Sequence, residues 1–220
     1  MPSGTRIIST RAVLDAAMLR AAEAHLRRVD PVLARIVEAV GPAPLRVNRS
    51  PAFAALLESI VYQQISGKAA ASIHRKLCAA LGRKIPRPAD VTAASDEALR
   101  AAGLSRVKVG YMRDLAVRAM SGLPLRSLSR LDDEQVVEAL VAVKGIGRWT
   151  AEMFLMFRLL RPDVLPVGDY GIRKAMQRAY RLRKLPKPDV MQRIAAPWRP
   201  YRSVACWYLW RSLDSPAGRA

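Results

Sequence analysis

Two short stretches carry residues whose types and spacing suit them to chemistry. In "VKGIGRWTAEMF", residues 143–154, two glycines flank an isoleucine between two helical patterns. In "LPVGDYGIRKA", residues 165–175, Asp169 lies between Gly168 and Tyr170, directly before another helical pattern. The first stretch predicts a site for a phosphate-sized anion. The second predicts a carboxylate held in a fixed place.

The glycine turn has the ingredients of an anion site. Gly145 and Gly147 can both take a positive φ and leave no Cβ in the way of a ligand. The turn amides and those that begin the helix at Arg148 then point outward at the positive end of a helix dipole. Lys144 adds a charge and Thr150 a hydroxyl. We expect this turn to bind a phosphate group; the alternative is a plain corner between two helices.

Asp169 has two compatible interpretations. Aspartate is among the best N-cap residues, so it can simply begin the following helix. Its glycine neighbours let a bulky ligand approach, and the apolar run "DVLPV" before it directs it toward an interior. A carboxylate held by helix N–H groups stays ionised and correctly aimed. The sequence therefore favours Asp169 as the reactive group.

The charge balance indicates a polyanionic partner. The 220 residues include 37 Lys and Arg against 18 Asp and Glu, a formal net charge of +19. Such an excess points to nucleic acid or an acidic membrane surface. No apolar run approaches membrane-spanning length, and the first ten residues lack the apolar core of a secretion signal. Nucleic acid is the favoured partner, and we expect no membrane association.

Cysteine and histidine are too few to hold a metal cluster. The two cysteines, Cys78 and Cys206, lie far apart in apolar helical patterns, typical of free thiols in a reducing compartment. With His25 and His74 they do not assemble a metal-ligand pattern. We expect neither a metal nor a cofactor.

The elements that must position these residues are helices. Apolar residues recur at spacings of three and four along nearly the whole chain, and Ala, Leu, Arg and Glu dominate. No alternation with a period of two is long enough to indicate a strand. The sequence predicts an all-α fold.

Taken in order along the chain, "VKGIGRWTAEMFLMF" and "LPVGDYGIRKA" resemble the helix-hairpin-helix Gly/Pro-Asp superfamily of DNA base-excision glycosylases. The chain is most similar to the branch of bacterial inducible 3-methyladenine DNA glycosylases (DNA-3-methyladenine glycosylase II). The similarity runs from about residue 50 to 212. "SIVYQQISGKAAASI", "GLSRVKVGYMRDLA" and "PWRPYRSVACWYLW" resemble segments of that branch in the same order.

The resemblance implies two helical domains. Residues 47–158 form a central domain that contains the hairpin, and residues 1–46 join 159–220 in a second one. The cleft between them is expected to contain Asp169. The chain lacks the four-cysteine iron–sulfur motif of the endonuclease III branch, and it has no room for the N-terminal sheet domain of the longest alkylation-repair members.

The resemblance also implies the chemistry. Asp169 matches the family's essential aspartate, which stabilises the positive charge that builds on the deoxyribose as the N-glycosidic bond breaks. The nucleotide must first leave the base stack. Alkylated purines such as 3-methyladenine and 7-methylguanine already carry a positive charge and depart easily.

Trp149 stands where members that also cut the strand place a lysine nucleophile, so a monofunctional enzyme is expected.

Further residues receive roles by the same resemblance. The base pocket is expected to contain Trp149, Met153, Trp210, Tyr62 and Tyr170. Met153 departs from the tyrosine of the best-known bacterial members, and for Trp149 and Trp210 ordinary core packing is the alternative. Gln64 matches the residue wedged into the gap that a flipped nucleotide leaves, with a solvent-facing helix end as the alternative. Gln63 is expected to help hold the same loop.

The expected partner is double-stranded DNA containing alkylated bases, bound by a monomer without a protein partner. The composition is typical of a bacterial protein, so we expect it in the cytoplasm with the nucleoid. Three alternatives stay open: a non-enzymatic helix-hairpin-helix protein that binds duplex DNA, a glycosylase for other damaged or mispaired bases, and a basic helical RNA-binding protein.

Overall fold

The computed structural model describes residues 13–44 and 50–214, and no strand occurs in these ranges. The all-α prediction is therefore confirmed. The helices are α1 (Ala16–Val29), α2 (Pro31–Val40), α3 (Ala52–Tyr62), α4 (Gly67–Ala80), α5 (Pro88–Ala93), α6 (Asp96–Ala101), α7 (Arg106–Met120), α8 (Asp133–Val141), α9 (Arg148–Phe157), α10 (Tyr170–Ala179), α11 (Pro188–Ala195) and α12 (Arg202–Asp214). Short 3-10 turns occupy Leu128–Arg130 and Ala196–Trp198.

Side-chain caps set many of the helix starts. An Asp or Ser oxygen accepts a hydrogen bond from an amide of the first turn in seven helices, which satisfies a donor that the helix itself leaves unpaired. These caps are Asp15, Asp30, Ser66, Ser95, Ser105, Asp132 and Asp169. Asp169 thus begins α10, which is the capping role expected of it.

The chain separates into two compact units. One is Asn48–Phe154, called here the central unit. The other combines Met1–Val47 with Leu155–Ala220 and is called the terminal unit. In the described ranges no helix combines the length and apolar composition needed to cross a bilayer.

The core of the central unit forms around α3. Its buried face packs on α7 and α4, and α7 also contacts α5 and α6. The fully buried side chains in this unit are mostly aliphatic, as the helical spacing of apolar residues predicts. They include Leu56, Leu57, Ile60, Leu77, Leu99, Met112 and Leu115.

The core of the terminal unit joins the two ends of the chain. Helix α12 packs against α1, α2 and α10. A buried carboxylate, Asp30, lies in this core at 6% exposure. Its Oδ1 accepts from the amides of Val32 and Leu33, and its Oδ2 accepts from the Tyr180 hydroxyl (2.6 Å) and the Trp198 indole N–H (2.8 Å). Burial and the Asp30 carboxylate raise the pKa of Tyr180.

We predict that Asp30→Asn lowers the free energy of unfolding by about 2–3 kcal/mol, because an amide cannot accept from four donors and one buried donor loses its partner. Asp15→Asn is the matched control: Asp15 is an exposed cap, asparagine caps equally well, and the change should stay below about 0.5 kcal/mol. Denaturant unfolding measures both. Equal losses in the two variants would contradict the buried-network account.

Candidate functional site

The glycine turn is a tight hairpin between α8 and α9. The amide of Ile146 donates to the Val143 carbonyl at 3.1 Å, which closes the turn. Gly145 has a φ of +80°, and a Cβ there would lie 2.1 Å from Cδ2 of Tyr111. Both the backbone conformation and the ring packed against it therefore require glycine at this position.

Of the two glycines that can take a positive φ, Gly147 does not use this freedom. Its φ lies outside that region, and a Cβ there would meet no atom within 4 Å. The reason is that Gly147 already belongs to the helix start, since its carbonyl accepts from the Ala151 amide at 3.1 Å. Only Gly145 therefore needs the conformational freedom of glycine.

The charged residues of the hairpin are held by carboxylates. Lys144 is exposed, but its amide donates to Oδ2 of Asp114 at 2.8 Å. The Arg148 guanidinium makes two hydrogen bonds, 2.7 and 2.8 Å long, to Glu134, and lies 3.3 Å from Glu152. Its hydrogen-bonded partner Glu134 raises the pKa of Arg148. The charge of Arg148 is thus kept, while its donor groups are largely engaged.

Asp114 is the acidic partner on which this hairpin depends. Burial opposes its ionisation, but hydrogen bonds from the Lys144 amide and the Arg118 guanidinium outweigh it and lower the pKa of the Asp114 carboxyl. A lowered carboxyl pKa stabilises the fold above the unfolded-state pKa, about 3.9. That contribution disappears as the pH falls through the lower folded-state pKa.

The Thr150 side chain is 7% exposed. Its hydroxyl therefore lies largely out of reach of a ligand, and any phosphate contact from this residue would come from its amide. The first amides of a helix have no intrahelical acceptor, so the start of α9 still offers donors at the positive end of its dipole.

The turn after α3 lies beside the hairpin. The Gln63 side-chain amide donates to the Gly145 carbonyl at 2.9 Å, which supports the role expected of Gln63 in holding this loop. Gln64 follows it, exposed and with a φ of +58°. A non-glycine residue in this region is strained by about 1–3 kcal/mol unless its surroundings hold it there.

Three pocket candidates belong to the central unit. Trp149 is 47% exposed, so about half of its surface is open to a ligand. Tyr62, the last residue of α3, is also exposed, and Met153 is half-buried. Exposed aromatic surface of this kind is available to a ligand.

The carboxylate site lies in the terminal unit. Asp169 is 8% exposed, and its Oδ1 accepts from the Ile172 amide (2.7 Å) and from the indole N–H of Trp210 (3.0 Å). A Cβ on Gly171 would lie 3.0 Å from the Trp210 ring and 3.1 Å from that same oxygen. Tyr170, at 65% exposure, is the most open residue of the group. Two N–H donors and a glycine thus fix the orientation of this carboxylate.

Trp210 contacts Asp169 through a hydrogen bond as well as packing against its neighbours. The half-buried ring also packs on Phe157, with centroids 5.7 Å apart. Core packing alone does not describe Trp210, because its indole N–H donates a hydrogen bond to Asp169, the carboxylate that the sequence predicts to be reactive.

Sequence reasoning missed the residues of α7 that hold the hairpin and the turn after α3. Lys108, Tyr111 and Asp114 are spaced three apart, which places them along one face of that helix. In the sequence, the segment "GLSRVKVGYMRDLA" carries only a resemblance to the superfamily. The available signal was the polar and aromatic spacing within an otherwise amphipathic helix.

No metal site is formed by the part of the chain that the structure describes, where groups of three or more His, Cys, Asp or Glu with metal-binding geometry are lacking. Cys78 Sγ lies 3.7 Å from Nε2 of His74. Burial and the nearby Glu58 raise the pKa of the Cys78 thiol, which keeps it neutral.

The sequence matches the HhH-GPD superfamily of base excision DNA repair proteins over residues 57–200, and the chain belongs to this superfamily. It is 34% identical over 201 residues to DNA-3-methyladenine glycosylase 1 of Schizosaccharomyces pombe, covering 88% of this chain and 87% of that protein.

Two solved structures are similar in fold and sequence. The S. pombe 3-methyladenine DNA glycosylase in complex with abasic DNA superposes with a TM-score of 0.77 at 33% identity, covering 89% of this chain and 98% of that one. A DNA-3-methyladenine glycosidase from Bacillus halodurans gives 0.78 at 36% identity, covering 88% of each. The resemblance to the superfamily and to its 3-methyladenine branch is confirmed.

The hairpin geometry predicts different effects for its two glycines. Gly145→Ala should lower the free energy of unfolding by about 2–4 kcal/mol, because the new Cβ is strained by the positive φ and overlaps the Tyr111 ring. Gly147→Ala should cost less, about 0.5–1 kcal/mol, because the new Cβ meets no atom and only the better N-cap residue is lost. Thermal or urea unfolding compares them. A larger loss for Gly147→Ala would show that the hairpin is built differently.

Proposed function

We propose that this chain is a monofunctional DNA glycosylase that extrudes alkylated purines from duplex DNA and hydrolyses their N-glycosidic bonds in base excision repair. The observation that carries the proposal is the Asp169 carboxylate, held at Oδ1 by two N–H donors. Membership of the superfamily and likeness to 3-methyladenine glycosylases support the same substrate class.

Asp169 acts on the sugar. As the bond to the base breaks, positive charge spreads over the deoxyribose ring, and a carboxylate fixed in advance stabilises this charge without having to reorganise. The Ile172 amide and the Trp210 indole supply that fixation. The same carboxylate helps orient the water that attacks the sugar.

The leaving group needs little help from the protein. An alkylated purine such as 3-methyladenine already carries positive charge, so it departs without a strong general acid. The exposed indole face of Trp149 suits such an electron-poor base, because a cation over an aromatic face is attracted by the ring quadrupole. Tyr62, Met153, Tyr170 and Trp210 complete the proposed set of pocket residues.

The reaction ends at base release. Trp149 has no nucleophilic atom with which to form a Schiff base, so water is the nucleophile and the strand stays uncut. This separates the proposed enzyme from members of the superfamily that place a lysine at this position.

DNA is held through its backbone. A phosphate is bound at the hairpin, whose proposed contact residues are Lys144, Gly145, Gly147, Arg148 and Thr150. The amides that begin α9 and the Lys144 ammonium carry this contact, while the charge of Arg148 is shared with Glu134. Such a contact gives affinity without sequence preference. Gln64, exposed beside the hairpin, fills the gap left by the extruded nucleotide. The net charge of +19 supports DNA, a polyanion, as the partner.

The proposal is tested with duplex DNA treated with a methylating agent. We expect wild-type protein to release 3-methyladenine, detected by mass spectrometry, without nicking the strand and without a borohydride-trapped adduct. Asp169→Asn should lower the single-turnover rate by at least about a hundredfold, because the charge facing the sugar is lost. Binding of undamaged duplex by wild-type protein with no base release would favour the non-enzymatic alternative.

Trp210→Phe tests how the carboxylate is held. Removing one donor from Oδ1 should lower the single-turnover rate by about tenfold while the affinity for undamaged duplex changes less than about twofold. Trp207→Phe is the matched control, since the Trp207 indole makes no hydrogen bond within the described residues and packs edge-on against Tyr208. If both variants slow the reaction equally, the hydrogen bond is not the cause.

A further inference from the structure

One face of α7 holds both DNA-contacting elements proposed for the central unit. Lys108, Tyr111 and Asp114 follow each other at intervals of three residues, so their side chains share one side of the helix. Lys108 contacts the turn after α3, and the other two contact the hairpin. We call Lys108, Tyr111 and Asp114 the clamp face.

Lys108 fastens the end of α3. Its Nζ donates to the carbonyls of Val61 and Gln63, each at 2.7 Å. The last carbonyls of a helix lack intrahelical donors and lie at the negative end of its dipole, so an ammonium there is doubly favourable. Lys108 is half-buried, and this burial lowers the pKa of its ammonium group.

The residue that Lys108 fastens leads directly to the proposed wedge. Gln63 gives its carbonyl to Lys108 and its side-chain amide to the Gly145 carbonyl. Gln64 follows in the left-handed conformation, at a φ of +58°. A residue in that conformation keeps it only when the neighbouring structure fixes the backbone on either side.

The remaining two residues of the clamp face fasten the hairpin. The Tyr111 ring occupies the space that a side chain on Gly145 would need. Asp114 accepts from the Lys144 amide at 2.8 Å. The hairpin and the wedge turn are therefore attached to the same rigid helix and, through Gln63, to each other.

We propose that Lys108 is a positioning residue for nucleotide extrusion. By fixing the Gln63–Gln64 turn to the helix that also carries the hairpin, it sets the distance between the gripped phosphate and the inserted glutamine. The inference rests on the proposed function, because it concerns how the wedge enters DNA. It assigns to Lys108 no contact with DNA, so its effect should appear in extrusion and not in the initial binding of duplex.

Two duplexes test this proposal. The first carries 2-aminopurine next to a tetrahydrofuran abasic nucleotide; its fluorescence reports unstacking and requires no base release. The second is methylated duplex, from which base release is followed in single turnover at saturating protein. The affinity for undamaged duplex of the same length reports the hairpin alone.

Lys108→Met keeps the apolar stem of the side chain and removes its charge. We expect this variant to slow both the fluorescence change and base release by about tenfold. The dissociation constant for undamaged duplex should change less than about twofold. Lys108→Arg retains a charged donor and should recover most of both rates. Gln63→Leu, which cuts the link to Gly145, should give the same split as Lys108→Met and replaces it if that variant fails to fold.

Lys76→Met is the matched control. Lys76 is exposed on α4 and makes no ion pair or hydrogen bond within the described ranges. The substitution removes the same charge from the same unit, so it should leave the extrusion and release rates unchanged. A merely structural loss in Lys108→Met would lower duplex affinity and extrusion together.

The outcomes separate the two proposals. Fluorescence that changes with wild-type protein and slows with Lys108→Met supports the clamp face, even if no base is released, and such a lack of release contradicts only the proposed function. The inference is overturned if Lys108→Met extrudes as fast as wild type, if duplex affinity falls in parallel with extrusion, or if wild-type protein produces no fluorescence change.

Discussion

The proposed chemistry depends on one oxygen atom and its two donors. Oδ1 of Asp169 accepts from the amide of Ile172, which belongs to the helix that Asp169 begins, and from the Trp210 indole, which belongs to α12. A local cap and a distant side chain therefore fix the same carboxylate. Gly171 leaves the space in which the indole reaches it. Capping and catalysis need not compete, because the hydrogen bonds of a cap give the orientation that a charge-stabilising group requires.

A second constraint governs the hairpin. Tyr111 packs where a Gly145 side chain would stand, and Asp114 holds the neighbouring amide. The Lys144 amide is bonded to Asp114 and is therefore not available to a phosphate, but the same bond fixes the turn. One hairpin cation is held in the same way, since the Arg148 guanidinium is paired with Glu134. A net charge of +19 attracts DNA over a distance, whereas the local geometry decides where a phosphate is gripped.

Local patterns predicted much of this. Helical periodicity gave the all-α fold, and the residues around Gly145 and Asp169 carried a recognisable superfamily signature. Tertiary contacts decided the rest. Trp210 and Asp169 are 41 positions apart in the sequence, and Lys108 and Gln63 are 45 apart. Residue spacing within one helix predicts no contact at such separations. The burial of Thr150 and the ordinary φ of Gly147 likewise depend on how the helices pack and where α9 begins.

The central claim is that the Asp169 carboxylate stabilises positive charge on the sugar. The most direct measurement compares the affinity of the protein for two duplexes, one with a pyrrolidine abasic nucleotide that carries a positive nitrogen in the sugar ring and one with the neutral tetrahydrofuran analogue. We expect wild-type protein to prefer the cationic duplex by at least about tenfold, and Asp169→Asn to lose that preference while binding the neutral duplex as before. An equal preference in both proteins would contradict the account.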